Sequence, residues 1–258
     1  NNPIIYAEWQ NDFNVRGDFV LSPGVYREIH DLFFNSDKHN IHIDLADNLH
    51  NDTNAWWKGY LDFYSGGSWD LGSDLIAENI SIYDNSTFTT NDFTVDLVRE
   101  VYISWGTINA GASNIYASSF GLYDIFNAEN STLYVRNNNI SWWTSHLNGG
   151  QTLNNVVIDD VLTNVNSNNT FNNLSLINGG GISLDGGTIQ SVSSSFTAQG
   201  VDRSQLATIN SQSPGVQATI DIGSGGSVIA DFVSITDNII TTTTTPFFYD
   251  ATNAVDGG

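Results

Sequence analysis

The chain has 258 residues, 40% of them hydrophobic, so it is long enough to fold around a core of its own. It contains no cysteine, which excludes disulfides, thiolate metal sites and a cysteine nucleophile. Seven Lys and Arg against 28 Asp and Glu give a formal net charge of −21, which disfavours nucleic acids and anionic membranes as partners.

Polarity comes mainly from uncharged residues, with 32 Asn, 27 Ser and 22 Thr, whereas charged residues make up only 14% of the chain. This composition is typical of secreted and surface β-proteins. Position 1 is Asn rather than Met, so we expect a chain that has lost a signal peptide. No run of about 18 apolar residues occurs, so no membrane insertion is expected. Together these features predict an extracellular or cell-surface protein.

The N-terminal part of the chain is aromatic, and all seven tryptophans lie at or before Trp143. A short helix is predicted over residues 26–34, where Ile29, Leu32 and Phe33 have helical spacing. We interpret residues 1–78 as an N-terminal cap with the first turns, 79–240 as the body, and 241–258 as a C-terminal strand and tail.

From residue 79 onward, short runs begin with Asn or Gly and continue with apolar side chains at alternate positions, as in Asn79-Ile-Ser-Ile and Asn173-Leu-Ser-Leu. Such alternation buries one face of a strand, and Asn and Gly suit the tight corners between strands. The pattern predicts an all-β, right-handed parallel β-helix. The inward side chains would be Ile80, Ile82, Ile103, Ile115, Val156, Ile158, Leu174, Leu176, Ile182 and Leu184.

A β-sandwich is the alternative fold, because it too consists of many short strands. Sandwich strands are usually longer and joined by hairpin turns such as Asn-Gly. Only Asn148-Gly149 and Asn178-Gly179 qualify as such turns, so the parallel β-helix is favoured.

A stretch near the N-terminus carries a family resemblance. The segment Asp18-Phe-Val-Leu-Ser-Pro-Gly-Val-Tyr-Arg27 resembles the entry strand of right-handed parallel β-helix proteins of the pectate-lyase-like superfamily. The next turn of that fold would be Asn40-Ile-His-Ile-Asp-Leu45. The resemblance covers about residues 17–48. It implies a fold rather than an activity, because the superfamily contains lyases, hydrolases, tailspikes and adhesins.

Candidate catalytic groups are sparse. Asp159-Asp160 is similar to the paired aspartates of polygalacturonase-type hydrolases, but the accompanying Gly-His-Gly and Arg-x-Lys motifs are missing. Adjacent strand residues also point to opposite faces. Lyase chemistry needs a basic residue, and only Arg136 lies on a convincing strand. We therefore predict no catalytic residue and no enzyme, with a polysaccharide lyase or glycoside hydrolase as the runner-up.

An aromatic cluster is the candidate sugar-binding platform, since Trp and Tyr rings can stack on sugar rings. It comprises Trp56, Trp57, Tyr60 and Trp69, and it makes a glycan a candidate partner. The competing interpretation is packing within the cap or at a subunit interface, where aromatic residues are also enriched.

Calcium is the only cofactor considered. Asp44, Asp47, Asn48 and Asp52 lie close together in the sequence and offer the oxygen ligands that Ca²⁺ prefers, although the central glycine of an EF-hand loop is missing.

The C-terminal strip is the candidate assembly surface. Five consecutive threonines, Thr241 to Thr245, favour an extended strand, and Pro246 ends it. The residues expected to contact a neighbouring copy are Thr241, Thr243, Thr245, Phe247 and Phe248. The predicted function is a secreted structural protein that self-associates at the cell surface, such as a sheath, surface-layer or adhesin subunit. A carbohydrate-binding tailspike or adhesin on the same fold is the alternative.

Overall fold

The computed structural model describes residues 5–6, 13–16, 19–20, 27–28, 31–35, 37, 41–44, 60–137, 144–242 and 255–256. The fold is all-β, with parallel strands stacked as a solenoid of about nine turns. Within the described residues, every regular element is a strand. The chain divides into two compact units, the first formed by Asn1–Ala117 and Gly121–Ser131, the second by Ser118–Phe120 and Thr132–Gly258.

Among its described residues, the first half of the chain forms fourteen strands, from β1 to β14. They are β1 (Ile5–Tyr6), β2 (Phe13–Val15), β3 (Phe19–Val20), β4 (Arg27–Glu28), β5 (Asp31–Asn35), β6 (Ile41–Asp44), β7 (Tyr60–Tyr64), β8 (Ser68–Leu71), β9 (Leu75–Ile82), β10 (Ser86–Thr89), β11 (Val95–Ile103), β12 (Gly106–Asn109), β13 (Asn114–Ala117) and β14 (Ser119–Leu122).

The second half contributes the remaining strands, β15 to β28. They are β15 (Ile125–Asn127), β16 (Thr132–Arg136), β17 (His146–Asn148), β18 (Thr152–Asp159), β19 (Leu162–Val165), β20 (Thr170–Ile177), β21 (Gly181–Leu184), β22 (Ile189–Gln199), β23 (Ala207–Ser211), β24 (Ala218–Ile222), β25 (Ser227–Asp231), β26 (Val233–Thr236), β27 (Asn238–Thr242) and β28 (Val255–Asp256).

In the first unit, the parallel ladders run β2–β5–β7–β9–β11 and β3–β6–β8–β10–β12–β15. Each strand pairs with the strand one turn later, so equivalent positions lie above one another. Phe88, for example, is in register with Trp69 on one side and Ile108 on the other, and all three are buried. The register therefore turns an alternating sequence into continuous apolar columns.

In the second unit, one ladder runs β16–β18–β20–β22 and another β17–β19–β21–β23–β26–β28. The long strand β22 pairs with β24 through residues 189–192 and with β25 through 195–199. The named strand pairs in the described part of the chain are parallel, which excludes the antiparallel sandwich. The ten side chains predicted to face inward are all buried, with exposures of 2% or less, so this prediction is confirmed.

The helix predicted over residues 26–34 is wrong, since β4 and β5 lie in this range. Leu32 and Phe34 are buried while Phe33 between them is partly exposed, which is the two-residue period of a strand. Phe34 stacks on Phe63 of the next turn, with ring centroids 4.7 Å apart. Packing between turns thus overrides the local helical spacing.

The segment that resembles the pectate-lyase-like entry strand contains β3, and the predicted next turn contains β6. These strands pair in parallel, with Phe19 opposite Ile43.

A buried ion pair ties three turns of the first unit together. The register of β11 on β9 shifts between Leu97 and Glu100, and Arg99 lies in this irregularity. Arg99 Nε is 2.5 Å from Glu78 Oε1, and its Nη1 donates to the Tyr60 hydroxyl at 2.7 Å. The pairing compensates the charge of Glu78, which would otherwise destabilise a buried position.

Amide side chains form matching ladders in the second unit. On the outside, Asn173 Nδ2 donates to Asn155 Oδ1 at 2.7 Å, and the Ser195 hydroxyl donates to Asn173 Oδ1 at 2.6 Å. In the interior, Asn169 Nδ2 donates to Gln190 Oε1 at 3.0 Å, and Gln190 Nε2 donates to the carbonyl of Ser167 at 2.8 Å. The register that aligns apolar side chains on successive turns therefore also aligns polar side chains so that they hydrogen-bond to one another.

Replacing Gln190 by Leu tests the interior ladder. Gln190 is fully buried, so the substitution leaves donors of Asn169 and the Ser167 carbonyl without this partner. Unsatisfied buried groups cost about 1–3 kcal/mol each, and we expect a loss of about 3 kcal/mol in the free energy of unfolding, measured by urea denaturation. Asn172→Ala is the control, because the exposed Asn172 donates only to Asn154 Oδ1, at 3.1 Å on the surface, and the expected loss is under about 0.5 kcal/mol. Equal losses in both variants would contradict the interpretation.

Candidate functional site

The residues predicted to bind sugar do not form one surface in the described part of the chain. Trp69 is only 1% exposed and packs against Phe63, with ring centroids 5.3 Å apart, so it belongs to the core. Tyr60 is partly exposed and accepts a hydrogen bond from Arg99. Trp56 and Trp57 lie outside the described residues.

The predicted calcium ligands lie largely in the same undescribed stretch. Asp44 ends β6, and Asp47, Asn48 and Asp52 lie outside the described residues. Within the part that the structure describes, no group of three or more His, Cys, Asp or Glu side chains could hold a metal ion. That part also contains no helix long and apolar enough to cross a membrane.

Asp159 and Asp160 lie where β18 ends and the chain turns. Asp159 accepts a hydrogen bond from Asn178 Nδ2 at 2.7 Å, and Asp160 accepts one from Gln205 Nε2 at 3.1 Å. Asp160 has a φ of 51°, in the left-handed region typical of a corner. Both carboxylates therefore contribute to the hydrogen bonding of the turn.

A row of aromatic side chains follows the outer side of the first unit. This aromatic strip consists of Phe33, Tyr64, Tyr83, Tyr102 and Tyr123. Successive ring centroids are 6.2, 4.9, 5.9 and 5.7 Å apart. Adjacent strands lie about 4.7–4.9 Å apart, so side chains at neighbouring positions on successive turns come into ring contact. The strip is thus a direct product of the stacking of turns.

The orientation of the rings changes along the strip. Tyr64 and Tyr83 are stacked face to face, with 9° between their planes, whereas Tyr102 and Tyr123 meet at 60°. Tyr123 is 55% exposed. The Tyr123 end of the strip therefore exposes an aromatic ring to solvent. Tyr64 and Tyr83, in contrast, cover the ring faces that they turn toward each other.

Gly121 is the reason that Tyr102 and Tyr123 can lie over the backbone between them. A Cβ atom at this position would lie 3.0 Å from Tyr102 Cδ2, 3.1 Å from Tyr123 Cε2 and 3.0 Å from Glu100 Oε1. Any larger residue would displace at least one of these groups.

Acidic groups accompany the strip. Burial, followed by the negative charge of Asp62, the neighbouring Tyr83 and Asp84, raises the pKa of Tyr64 to about 12. Burial also raises the pKa of Tyr83. Both phenols therefore stay protonated and able to donate hydrogen bonds throughout the neutral range.

An exposed tryptophan lies at the turn before β12. Trp105 is 74% exposed and has a φ of 61°, which is rare for a bulky side chain. Its carbonyl accepts a hydrogen bond from the backbone N–H of Asn85. Ile125, also exposed, begins β15, which pairs with β12. Trp105, Tyr123 and Ile125 therefore lie at the same end of two paired strands.

The second unit contains a different candidate surface, the terminal edge, formed by β25 and β27. Among the described residues, β25 pairs only with β22, and β27 only with β24. Ile229 and Ile239 are 54% and 41% exposed. Ile240 is partly exposed, whereas its partner Ile220 in the previous turn is fully buried. The apolar column thus becomes accessible at this edge.

The predicted assembly residues coincide only in part with the terminal edge. Thr241 lies in β27, is exposed and donates a hydrogen bond to Asp221 Oδ1 at 2.7 Å. Thr243, Thr245, Phe247 and Phe248 lie outside the described residues.

Comparison with known proteins gives no relative: no family model, no curated protein and no solved structure matches the chain.

Sequence reasoning missed the aromatic strip, although a signal exists. Tyrosines recur at positions 64, 83, 102 and 123, which are 19, 19 and 21 residues apart. These intervals are close to one turn of the solenoid. Searching for aromatic residues at a repeat of about twenty positions would have found the strip.

The left-handed conformation of Trp105 predicts a stabilising substitution. Left-handed backbone costs a residue with a Cβ about 1–2 kcal/mol, and Asn tolerates it better than Trp. Because Trp105 buries little area, we expect Trp105→Asn to raise the free energy of unfolding by about 1 kcal/mol, as measured by urea denaturation. A loss of stability would show that the indole makes contacts that outweigh the strain.

The raised pKa of Tyr64 predicts an alkaline loss of stability. Its ordinary value is 10.0 and its folded value is about 12. Folding therefore favours the protonated phenol. The contribution is complete below about pH 10 and is lost as the pH rises toward 12. Urea denaturation of wild type and Tyr64→Phe across this window should show a smaller decrease for the variant, and parallel decreases would contradict the assignment.

Proposed function

We propose that the protein is a secreted structural protein that self-associates at the cell surface, as a sheath, surface-layer or adhesin subunit. The observation that supports this best is the terminal edge of the second unit. There two strands each pair on one side only among the described residues, and apolar side chains are exposed.

The edge of a sheet carries backbone N–H and C=O groups that can pair with a strand of another chain. In this solenoid every turn pairs in register with the next, so a strand from a second copy can add in the geometry that the chain itself uses. Ile229 and Ile239 add apolar area to such a contact. The threonine-rich strip from Thr241 onward continues this edge in sequence and belongs to the proposed interface.

Charge governs the conditions of assembly. A net charge of −21 makes copies repel each other. Salt screens this repulsion over about 8–10 Å at near-physiological ionic strength, and Ca²⁺ can bridge carboxylates. Calcium is therefore the proposed aid to assembly. From the resemblance of residues 17–48, we further propose that the chain is one of the right-handed parallel β-helix proteins of the pectate-lyase-like superfamily.

An enzyme on the same fold remains the runner-up. The proposal assigns no catalytic role to Asp159 or Asp160, because an amide side chain donates to each carboxylate. Release of unsaturated or reducing sugar ends by the pure protein, abolished by Asp159→Asn, would support the enzyme instead.

Size measurements test self-association. We expect the full-length chain to form oligomers or filaments by light scattering, larger with Ca²⁺ than with chelator. Ile229→Lys and Ile239→Lys should reduce the size, because a charge at a sheet edge discourages pairing. Deletion of residues 241–258 should reduce it as well.

Ile189→Lys is the matched control, because Ile189 is also exposed, at 47%, but lies on β22, which pairs with β20 and β24 on its two sides. It should assemble like wild type. A monomeric wild-type protein under both conditions, or edge variants that assemble as well as the control, would contradict self-association through the terminal edge.

A further inference from the structure

We propose that Trp105 and Tyr123, with the tyrosine hydroxyls of the aromatic strip, bind an extended, uncharged glycan. This site lies in the first unit, so it goes beyond the proposed self-association and involves none of the terminal-edge residues.

Exposed aromatic area is the first support for the site. Trp105 and Tyr123 are the two most exposed large hydrophobic side chains of the described residues, at 74% and 55%. An aromatic face accepts the apolar C–H face of a sugar ring, and the indole N–H and phenol O–H provide polar groups at its rim. Exposed apolar side chains grouped together mark an interaction surface.

Backbone geometry is the second support. A tryptophan in the left-handed region is strained, and conformational strain of this kind is concentrated at functional sites. The strain holds a bulky ring at a corner where Asn or Gly would normally stand. At the equivalent corner one turn earlier, Asp84 and Asn85 have φ values of 54° and 60°, as expected for residues that tolerate this conformation.

The polar groups beside the strip indicate the class of glycan. Tyr64 and Tyr83 keep protonated hydroxyls, and the carboxylates of Asp62, Asp84 and Glu100 place negative charge beside them. Sugar hydroxyl groups both donate and accept, so a neutral sugar complements this set. A uronate or sulfated chain would bring negative charge toward these carboxylates and the acidic chain as a whole.

The repeat of the strip indicates an extended chain rather than a single sugar. Ring centroids from Tyr64 to Tyr123 follow one another at 4.9, 5.9 and 5.7 Å. This spacing is similar to the length of one pyranose ring, so successive sugars can meet the tyrosine hydroxyls on successive turns, while the faces of Tyr64 and Tyr83 cover each other.

Binding of defined hexasaccharides to the full-length protein tests the proposal. The probes are cellohexaose, xylohexaose and mannohexaose, with hexagalacturonate as the anionic comparison, measured by isothermal titration calorimetry. We expect at least one neutral hexasaccharide to bind and hexagalacturonate to bind more weakly. Each of Trp105→Asn and Tyr123→Ala should weaken binding by about 2- to 12-fold, the range for one aromatic contact.

Two further variants distinguish a loss of contacts with the sugar from general damage to the protein structure. Tyr116→Ala is the control, since Tyr116 lies on β13 of the same unit but outside the strip, and it should bind like wild type. Tyr64→Phe keeps the ring and removes the hydroxyl, so binding should weaken while thermal stability at neutral pH is retained.

Three results would overturn the proposal: no neutral hexasaccharide binds wild type, hexagalacturonate binds as well as the best neutral probe, or Trp105→Asn and Tyr123→Ala bind like the control. If these two variants change the size of the assembly and leave sugar binding unaltered, the surface contacts protein and the glycan assignment is wrong.

Discussion

In-register stacking of parallel turns is the constraint on which the rest of the structure depends. Because each strand pairs with the equivalent strand one turn later, a side chain lies next to the side chains at the equivalent positions of the turns before and after it. Inside, this produces columns such as Trp69, Phe88 and Ile108. Outside, it produces columns of amides and of aromatic rings. The core and the two candidate surfaces therefore share one cause.

The local alternation of the sequence was enough to predict which side chains face inward, since a period of two is a property of each strand alone. The helix predicted around Leu32 failed because Leu32 and Phe34, two residues apart, are buried on one face of a strand that packs on the next turn, a contact that local spacing does not reveal. The aromatic strip escaped prediction for a related reason. Tyr64 and Tyr83 become neighbours only once the length of a turn is known, and that length varies along the chain.

The same stacking generates two kinds of surface. Along the side of the first unit, repetition aligns aromatic rings and acidic groups at a spacing set by the backbone. At the terminal edge of the second unit, β25 and β27 each have one strand partner among the described residues, and Ile229 and Ile239 remain exposed. The first surface is the one that we propose binds a polymeric glycan, and the second is the one that we propose pairs with a strand of another copy. A surface protein that assembles and binds glycan would use both.

Disulfide trapping tests the in-register parallel stack most directly. Because the chain contains no cysteine, only the two introduced thiols can form a disulfide within it. Thr87 and Thr107 are paired across β10 and β12, whereas Asn109 lies two residues further along. Stacked positions lie about 4.7–4.9 Å apart, within the range that a disulfide spans. In-register stacking predicts that Thr87→Cys/Thr107→Cys oxidises rapidly and that Thr87→Cys/Asn109→Cys does not. Equal rates, or faster oxidation of the second pair, would contradict the register and with it both proposed surfaces.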